Sequence, residues 1–270
     1  MRLINRRPDR LTVVFLAALP FGLALLGYVL ASEARLAANP ADRLLPSLGT
    51  IGSTAWSLFT EPDRRSGQIL LWWDTAASLA RLFAGVAIAA TIGLVAGLLI
   101  GLLPHVRATL ATFVAVLSMI PPLALLPILF IVFGLGELSK VVLIVIGITP
   151  FLIRDLSQRT LDIPRELIVK AETLGASSLV IALRVALPQV MPRLIQAIRL
   201  SLGPAWLFLI AAEAIASESG LGYRIFLVRR YLAMDTILTY VLWITVLAFL
   251  MDWALRRLSD RLYPWAGKGL

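Results

Sequence analysis

The chain has 270 residues, 59% of them hydrophobic, with a mean hydropathy of +0.88. Ordinary soluble domains are about 45–50% apolar, and the excess here is gathered into long runs separated by charges, which defines a polytopic membrane protein rather than a soluble one. The net charge of +9 does not indicate nucleic acid, because the basic residues sit at the ends of apolar runs, and with no cysteine and only His105 a disulfide framework and a His/Cys metal cluster are excluded.

Six spans are predicted, over residues 11–31, 72–103, 108–133, 138–156, 190–216 and 236–258, close to or above the ~20 residues that cross a hydrocarbon core. Arg2, Arg6, Arg7 and Arg10 precede the first, which runs on past Leu30 without a small-residue exit before Glu33. It is therefore expected to be a retained span rather than a cleaved signal. Segment 32–70 carries Pro40, Pro46, Pro62 and several charges, and reads as a loop with room for one surface helix.

Span two places Gly85, Ala89, Gly93, Gly97 and Gly101 four residues apart, on one helix face where a neighbouring backbone can approach closely. Close packing is the favoured reading of this stripe, with sliding during gating as the functional alternative. Span three contains Met119-Ile120-Pro121-Pro122 and then Pro127. Each proline removes a backbone donor, and in a bilayer the freed carbonyls need protein or a water-filled cavity. The segment is thus either a kink or a broken helix lining a transport path, with Met119, Pro121, Pro122, Leu126 and Pro127 as its candidate pathway residues. His105, after Pro104, is expected in a short solvated loop.

Three charges fall in or near the membrane: Arg81, Arg199 and Glu213. A central charge costs about 2.5–3.5 kcal/mol on insertion scales, so each should face protein or water. Pairing, snorkelling or helix capping is the favoured role for both arginines, and attraction of an anionic solute the alternative. Glu213 and Trp206, the latter near Gly203-Pro204, join the candidate pathway set. With the N-terminus placed inside, the inner side gathers 15 Lys and Arg residues against 8 outside, which puts both ends in the cytoplasm.

Segment 157–188 then faces the cytoplasm. Thr160 or Asp162 is expected to cap a helix with Pro164 in its first turn, and Leu167, Ile168, Ala171 and Leu174 recur at helical spacing as one apolar face. Gly175 suits a left-handed helix exit, Ser177 or Ser178 a second cap, and a second helix from Leu179 is expected to end before Pro188. Such a face can lie on lipid, pack on its own chain or enter a groove on another protein.

The stretch Val169-Lys170-Ala171-Glu172-Thr173-Leu174-Gly175 through Leu187-Pro188 resembles the cytoplasmic coupling signature of ABC importer permeases, with Ala171, Gly175, Val185, Leu187 and Pro188 at matching spacings. Val169 and Lys170 depart from it, standing where the signature has Glu and Ala. Ser118–Pro127, Phe133–Lys140, Ala211-Ala212-Glu213 and Ser219–Tyr223 resemble segments of the nitrate, sulfonate and taurine branch. The matching region runs from about Trp72 to Trp265.

The resemblance implies an all-α type I importer permease with six transmembrane helices and coupling helices between spans four and five. It divides the chain into an N-terminal span with a periplasmic loop (1–71) and the permease domain (72–262). Lys170, Ala171, Glu172, Thr173, Leu174, Gly175, Ala176, Ser177, Leu187 and Pro188 would couple to the ATPase. The implied setting is a bacterial inner membrane, with membrane lipid around it and no nucleic acid. The implied partners are a second permease copy, two cytoplasmic ATPases holding ATP and Mg, and a substrate-binding protein. The chain itself has no glycine-rich loop followed by Lys-Ser/Thr, the usual phosphate cradle, so no cofactor is assigned to it. The alternatives are a scaffold or sensor docking a cytoplasmic regulator, and an intramembrane enzyme, for which scattered acids and one histidine supply no convergent site.

Overall fold

Residues 9–40, 42–64 and 66–265 are described in a computed structural model of the chain, and the regular structure among them is helical. Arg2, Arg6, Arg7, Arg65 and Lys268, which enter the charge count above, lie outside the described residues. Among the described residues five helices are long and apolar enough to cross a membrane, or six if one sharply bent pair counts as a single span.

Helix α1 (Arg10–Ala38) is apolar all round, and only Ser32 on it is buried. A helix of this kind is stable in lipid rather than in water. Its far end is tied to the following loop: Tyr28 Oη donates to the Pro46 carbonyl at 2.7 Å and Ser32 Oγ to the Leu45 carbonyl at 2.9 Å. The surface helix anticipated in 32–70 is α2 (Leu48–Thr60), capped by Ser47, whose hydroxyl accepts from the Thr50 N–H. It rests on the starts of α3 (Leu70–Leu102) and α11 (Met234–Leu262). Thr54 Oγ1 donates to Asp235 at 2.7 Å, and Phe59, Trp72 and Trp243 meet edge to face at 5.0–5.7 Å.

The core is built on α3 against α6 (Glu137–Leu161), the most extensive helix pair. An added Cβ on Gly85, Gly93 or Gly97 would lie 2.7–2.8 Å from the Cβ of Ile144, Leu152 or Leu156, and one on Gly101 would overlap Thr160. Both series advance by steps of four in the same direction, so the two helices run parallel with large residues of α6 seated in the glycine notches of α3. Close packing is thus the structural role of the stripe. The return path between two parallel helices is α4 (Pro104–Leu117), a 3₁₀ turn (Pro122–Leu125) and α5 (Leu126–Phe133), bent by 81°. Span three is therefore two short helices and not one continuous rod, because Pro121 and Pro122 break the backbone between them. His105 lies in the first turn of α4 rather than in a loop, and is exposed.

After α6 comes α7 (Arg165–Thr173), then α8 (Ser178–Ile181), a π-helical stretch (Ala182–Ala186) and α9 (Leu187–Ile215). The last three form one 38-residue helix, Ser178–Ile215. This corrects the expectation of a separate helix ending before Pro188. Leu187 N–H bonds to the Ala182 carbonyl in the π register, and Gln189 Nε2 donates to the Val185 carbonyl at 2.9 Å. These bonds carry the helix past a proline that would otherwise stop it. Helix α9 packs on α6, where Phe208 covers Gly147, and α10 (Leu221–Arg229) folds back on its end.

Candidate functional site

Two regions hold the residues singled out from sequence, at opposite ends of the bundle. At the end formed by Leu102 of α3 and Leu161 of α6, segment 162–177 leaves the helices and returns. Pro164 itself occupies the N-cap of α7, without a side-chain cap. Thr160 and Asp162, the expected caps, instead bond to the Leu156 carbonyl and to Gln158.

At its other end α7 closes with a Schellman turn. Gly175 has φ +80°, Gly175 N–H bonds to the Glu172 carbonyl at 2.9 Å, and Ala176 N–H to the Ala171 carbonyl at 3.0 Å. Ser177 then caps α8 through the Val180 N–H. The result is a rigid elbow built from local bonds.

The apolar residues of the elbow do not share one fate. Ile168 and Ala171 are half-buried, and Ile168 faces a groove of about 280 Å³ walled by Leu98, Leu102, Glu172 and Ile181. Leu167 and Val169 are exposed, as are Leu174 at 80% and Leu179 at 68%. The expected single face is thus split between the chain's own bundle and open surface. Lys170, Glu172 and Thr173 are exposed, while Leu187 and Pro188 lie within the continuous helix.

Met119, Pro121, Pro122, Leu126 and Pro127 cluster at the break between α4 and α5. Met119 is 78% exposed and Leu126 is buried. Trp206 is buried in α9 with an indole N–H that has no partner among the described residues.

The other end of the bundle holds a buried ion network that the sequence reading named only in part. Arg81 of α3 lies between two carboxylates. Its Nη1 donates to Glu213 Oε1 at 2.6 Å, and its Nε and Nη2 form a two-pronged bond to Glu137 at the start of α6. It also donates to the Ser219 carbonyl and hydroxyl. Glu213, with no exposed surface, further accepts from Ser78 Oγ and from the Gly222 N–H at 2.9 Å. Lys140, 2% exposed, donates to Glu137.

Asp74, equally enclosed, accepts from Arg224 at 2.8 Å, from the Gly220 N–H and from Tyr240. Burial alone would lower the Arg224 guanidinium, but Asp74 holds it above its ordinary value. Helices α3, α6, α9 and α10 are thereby clasped at one end by charges that compensate one another. The chain brings Arg81 and Glu213 together, and places Arg199 elsewhere, in a two-pronged pair with Asp252 of α11 at 2.7 and 3.0 Å. Both arginines are therefore paired. The sequence reading missed Asp74, Ser78, Glu137, Lys140 and Arg224. Asp74 carried a usable signal, an acid inside an apolar helix.

Parallel interlocked spans, a broken span between them and an elbow at one end make a multi-pass helical membrane protein. Residues 67–263 match the family of binding-protein-dependent transport system inner membrane components, and the chain belongs to that family. It is an inner-membrane transport component, not an enzyme.

It is 36% identical over 198 residues to the taurine transport system permease protein TauC of Escherichia coli (strain K12), covering 73% of this chain and 72% of that one. It is 31% identical over 211 residues to the bicarbonate transport system permease protein CmpB of Synechococcus elongatus, covering 73% and 75%. It is 29% identical over 225 residues to the putative aliphatic sulfonates transport permease protein SsuC of Escherichia coli (strain K12), covering 83% of each. The fold resembles a chain of the MetNI methionine ABC transporter, solved in inward-facing conformations. The TM-score is 0.62 at 24% identity, over 70% of this chain and 94% of that one.

Proposed function

We propose that the chain forms half of a translocation pathway for a small anionic solute of the taurine, alkanesulfonate or bicarbonate kind, and that the elbow 162–188 couples it to a separate ATPase. The observation that carries this reading is the elbow itself. In a chain of this family, a locally braced turn at one end of the bundle leaves Leu167, Val169, Leu174 and Leu179 uncovered. Exposed apolar side chains on a locally braced elbow fit a groove on a partner. ATP and Mg belong to that partner. Its cytoplasmic position puts both termini inside and the ion network outside. A binding protein delivers solute there, and residues 1–71 form a separate N-terminal part beside the permease domain 72–262.

A second copy of the chain completes the pathway. Val169 replaces a charged anchor, so the ATPase groove is more apolar at that point, and Val169→Glu preserves assembly. Arg81 and Arg199, already paired with carboxylates, are not solute ligands. Extraction of the complex in mild detergent tests the reading. Recovery of an ATPase in a two-to-two complex, crosslinked to a cysteine at Glu172, is expected. Extraction without any ATPase, with no crosslink at that position, would return the elbow to a scaffold role.

A further inference from the structure

Arg81, Arg199 and Arg224 are matched with carboxylates. Arg107 and Arg154 have no ion-pair partner among the described residues, and they share the wall of one groove of about 360 Å³ with Ser157 and Gln158. Arg107 spends part of its guanidinium on the carbonyls of Ile100 and Gly101, capping the end of α3. Arg154 Nη1 donates to Ser118 Oγ at 2.9 Å. The remaining donors of both carry uncompensated positive charge.

This groove meets a second one, of about 380 Å³, through Val114 and Ile153, which stand in both walls. The second groove is apolar, lined by residues such as Leu117, Ile120, Leu125 and Ile146. Its one hydroxyl, Thr149, is buried and has no hydrogen-bond partner among the described residues. Thr75, Thr91 and Thr160, also within helices, each bond back to the carbonyl four residues earlier. Thr149 does not, and Pro150 beside it cannot donate to Ile146.

Depth along the bundle fits a lipid. Helix α6 has 25 residues, about 37 Å of helix against ~30 Å of hydrocarbon. Arg154 stands two residues from the end of the predicted span 138–156, with the excess length of α6 beyond it, and Arg107 immediately precedes span 108–133 against the last turn of α3. Both guanidiniums therefore sit at headgroup level, with the apolar groove running toward the bilayer centre. A basic pocket between helices at this depth suits an anionic headgroup.

We propose that these joined grooves bind an anionic phospholipid, its phosphate between Arg107 and Arg154 and one acyl chain against Val114, Leu117 and Ile153. A small hydrophilic solute would use the guanidiniums but leave the apolar groove unfilled, which is why the lipid is the assigned occupant. The site does not depend on which solute is carried.

The test is native mass spectrometry of the full chain in its detergent-extracted complex, with equimolar phosphatidylglycerol and phosphatidylcholine of matched chains. Removing one guanidinium from an anionic headgroup should lower the preference for phosphatidylglycerol about fivefold. Arg154→Gln, which spares the Arg107 cap on α3, is expected to do so, and Arg154→Lys to retain most of the preference. Arg256→Gln, at the end of α11, serves as the control and should leave it unchanged. Absence of any preference, or its survival in Arg154→Gln, would overturn the site. Displacement of phosphatidylglycerol by millimolar methanesulfonate at constant ionic strength would overturn the lipid assignment in favour of a soluble anion.

Discussion

Arg81 and Glu213 carry the largest consequence of any single pair. Both are nearly or fully enclosed, and each is held by several hydrogen bonds. A buried pair need not be more stable than an apolar pair of the same shape, but removing one member leaves an uncompensated charge. Arg81→Gln is therefore expected to cost about 3–5 kcal/mol, read as a fall in the thermal unfolding temperature of the purified complex. Arg199→Gln should cost less, since Asp252 keeps 38% of its side chain exposed. Equal losses at the two sites would show that burial does not govern these pairs.

Between elements, the interface of α3 and α6 depends on missing side chains. A Cβ on Gly97 would fall 2.7 Å from Leu156 Cβ and 3.2 Å from the Ser157 backbone nitrogen. A backbone atom cannot rotate away, so Gly97→Val forces the helices apart, at about 1–3 kcal/mol for overpacking. Size-exclusion profiles and unfolding temperature would register it, whereas Gly203→Ala, with no atom within 4 Å of the added Cβ and a better helix former in its place, should leave the profile unchanged and not lower the unfolding temperature. The glycine stripe was legible in the sequence as a packing face, but its partner was not. Ile144, Leu152 and Leu156 are ordinary helix residues, and only the parallel register reveals that they fill the notches. Pro188 misled for a related reason. A proline normally ends a helix, but here the π register and the Gln189 side chain accommodate it.

Across the whole molecule, hydropathy runs were enough to read the membrane class and the five long spans, because lipid requires long apolar helices whatever their neighbours, while the sixth predicted span is a helix pair bent by 81°. The elbow was legible where local bonds decide it, at Gly175 and Ser177. The ion network was not, since Arg81 meets Glu137 and Glu213 across separations of 56 and 132 residues. What the parts make together is a bundle clasped by charges at one end and carrying a stiff elbow at the other. In such an arrangement force applied at the elbow passes into α6 and α9, between which the elbow lies.

The direct test is ATP-driven uptake in proteoliposomes containing the chain, its co-purified ATPase and its binding protein, offered labelled taurine, a short alkanesulfonate and bicarbonate. Accumulation of at least one of them is expected only with ATP inside the compartment that faces the elbow. Gly175→Val, which forces a β-branched residue to φ +80° at about 1–3 kcal/mol of strain, should sharply reduce uptake, while Gly175→Asn, tolerant of that conformation, retains most of it. Uptake that proceeds equally without ATP, or that is unchanged in Gly175→Val, would contradict the account of an elbow-coupled importer.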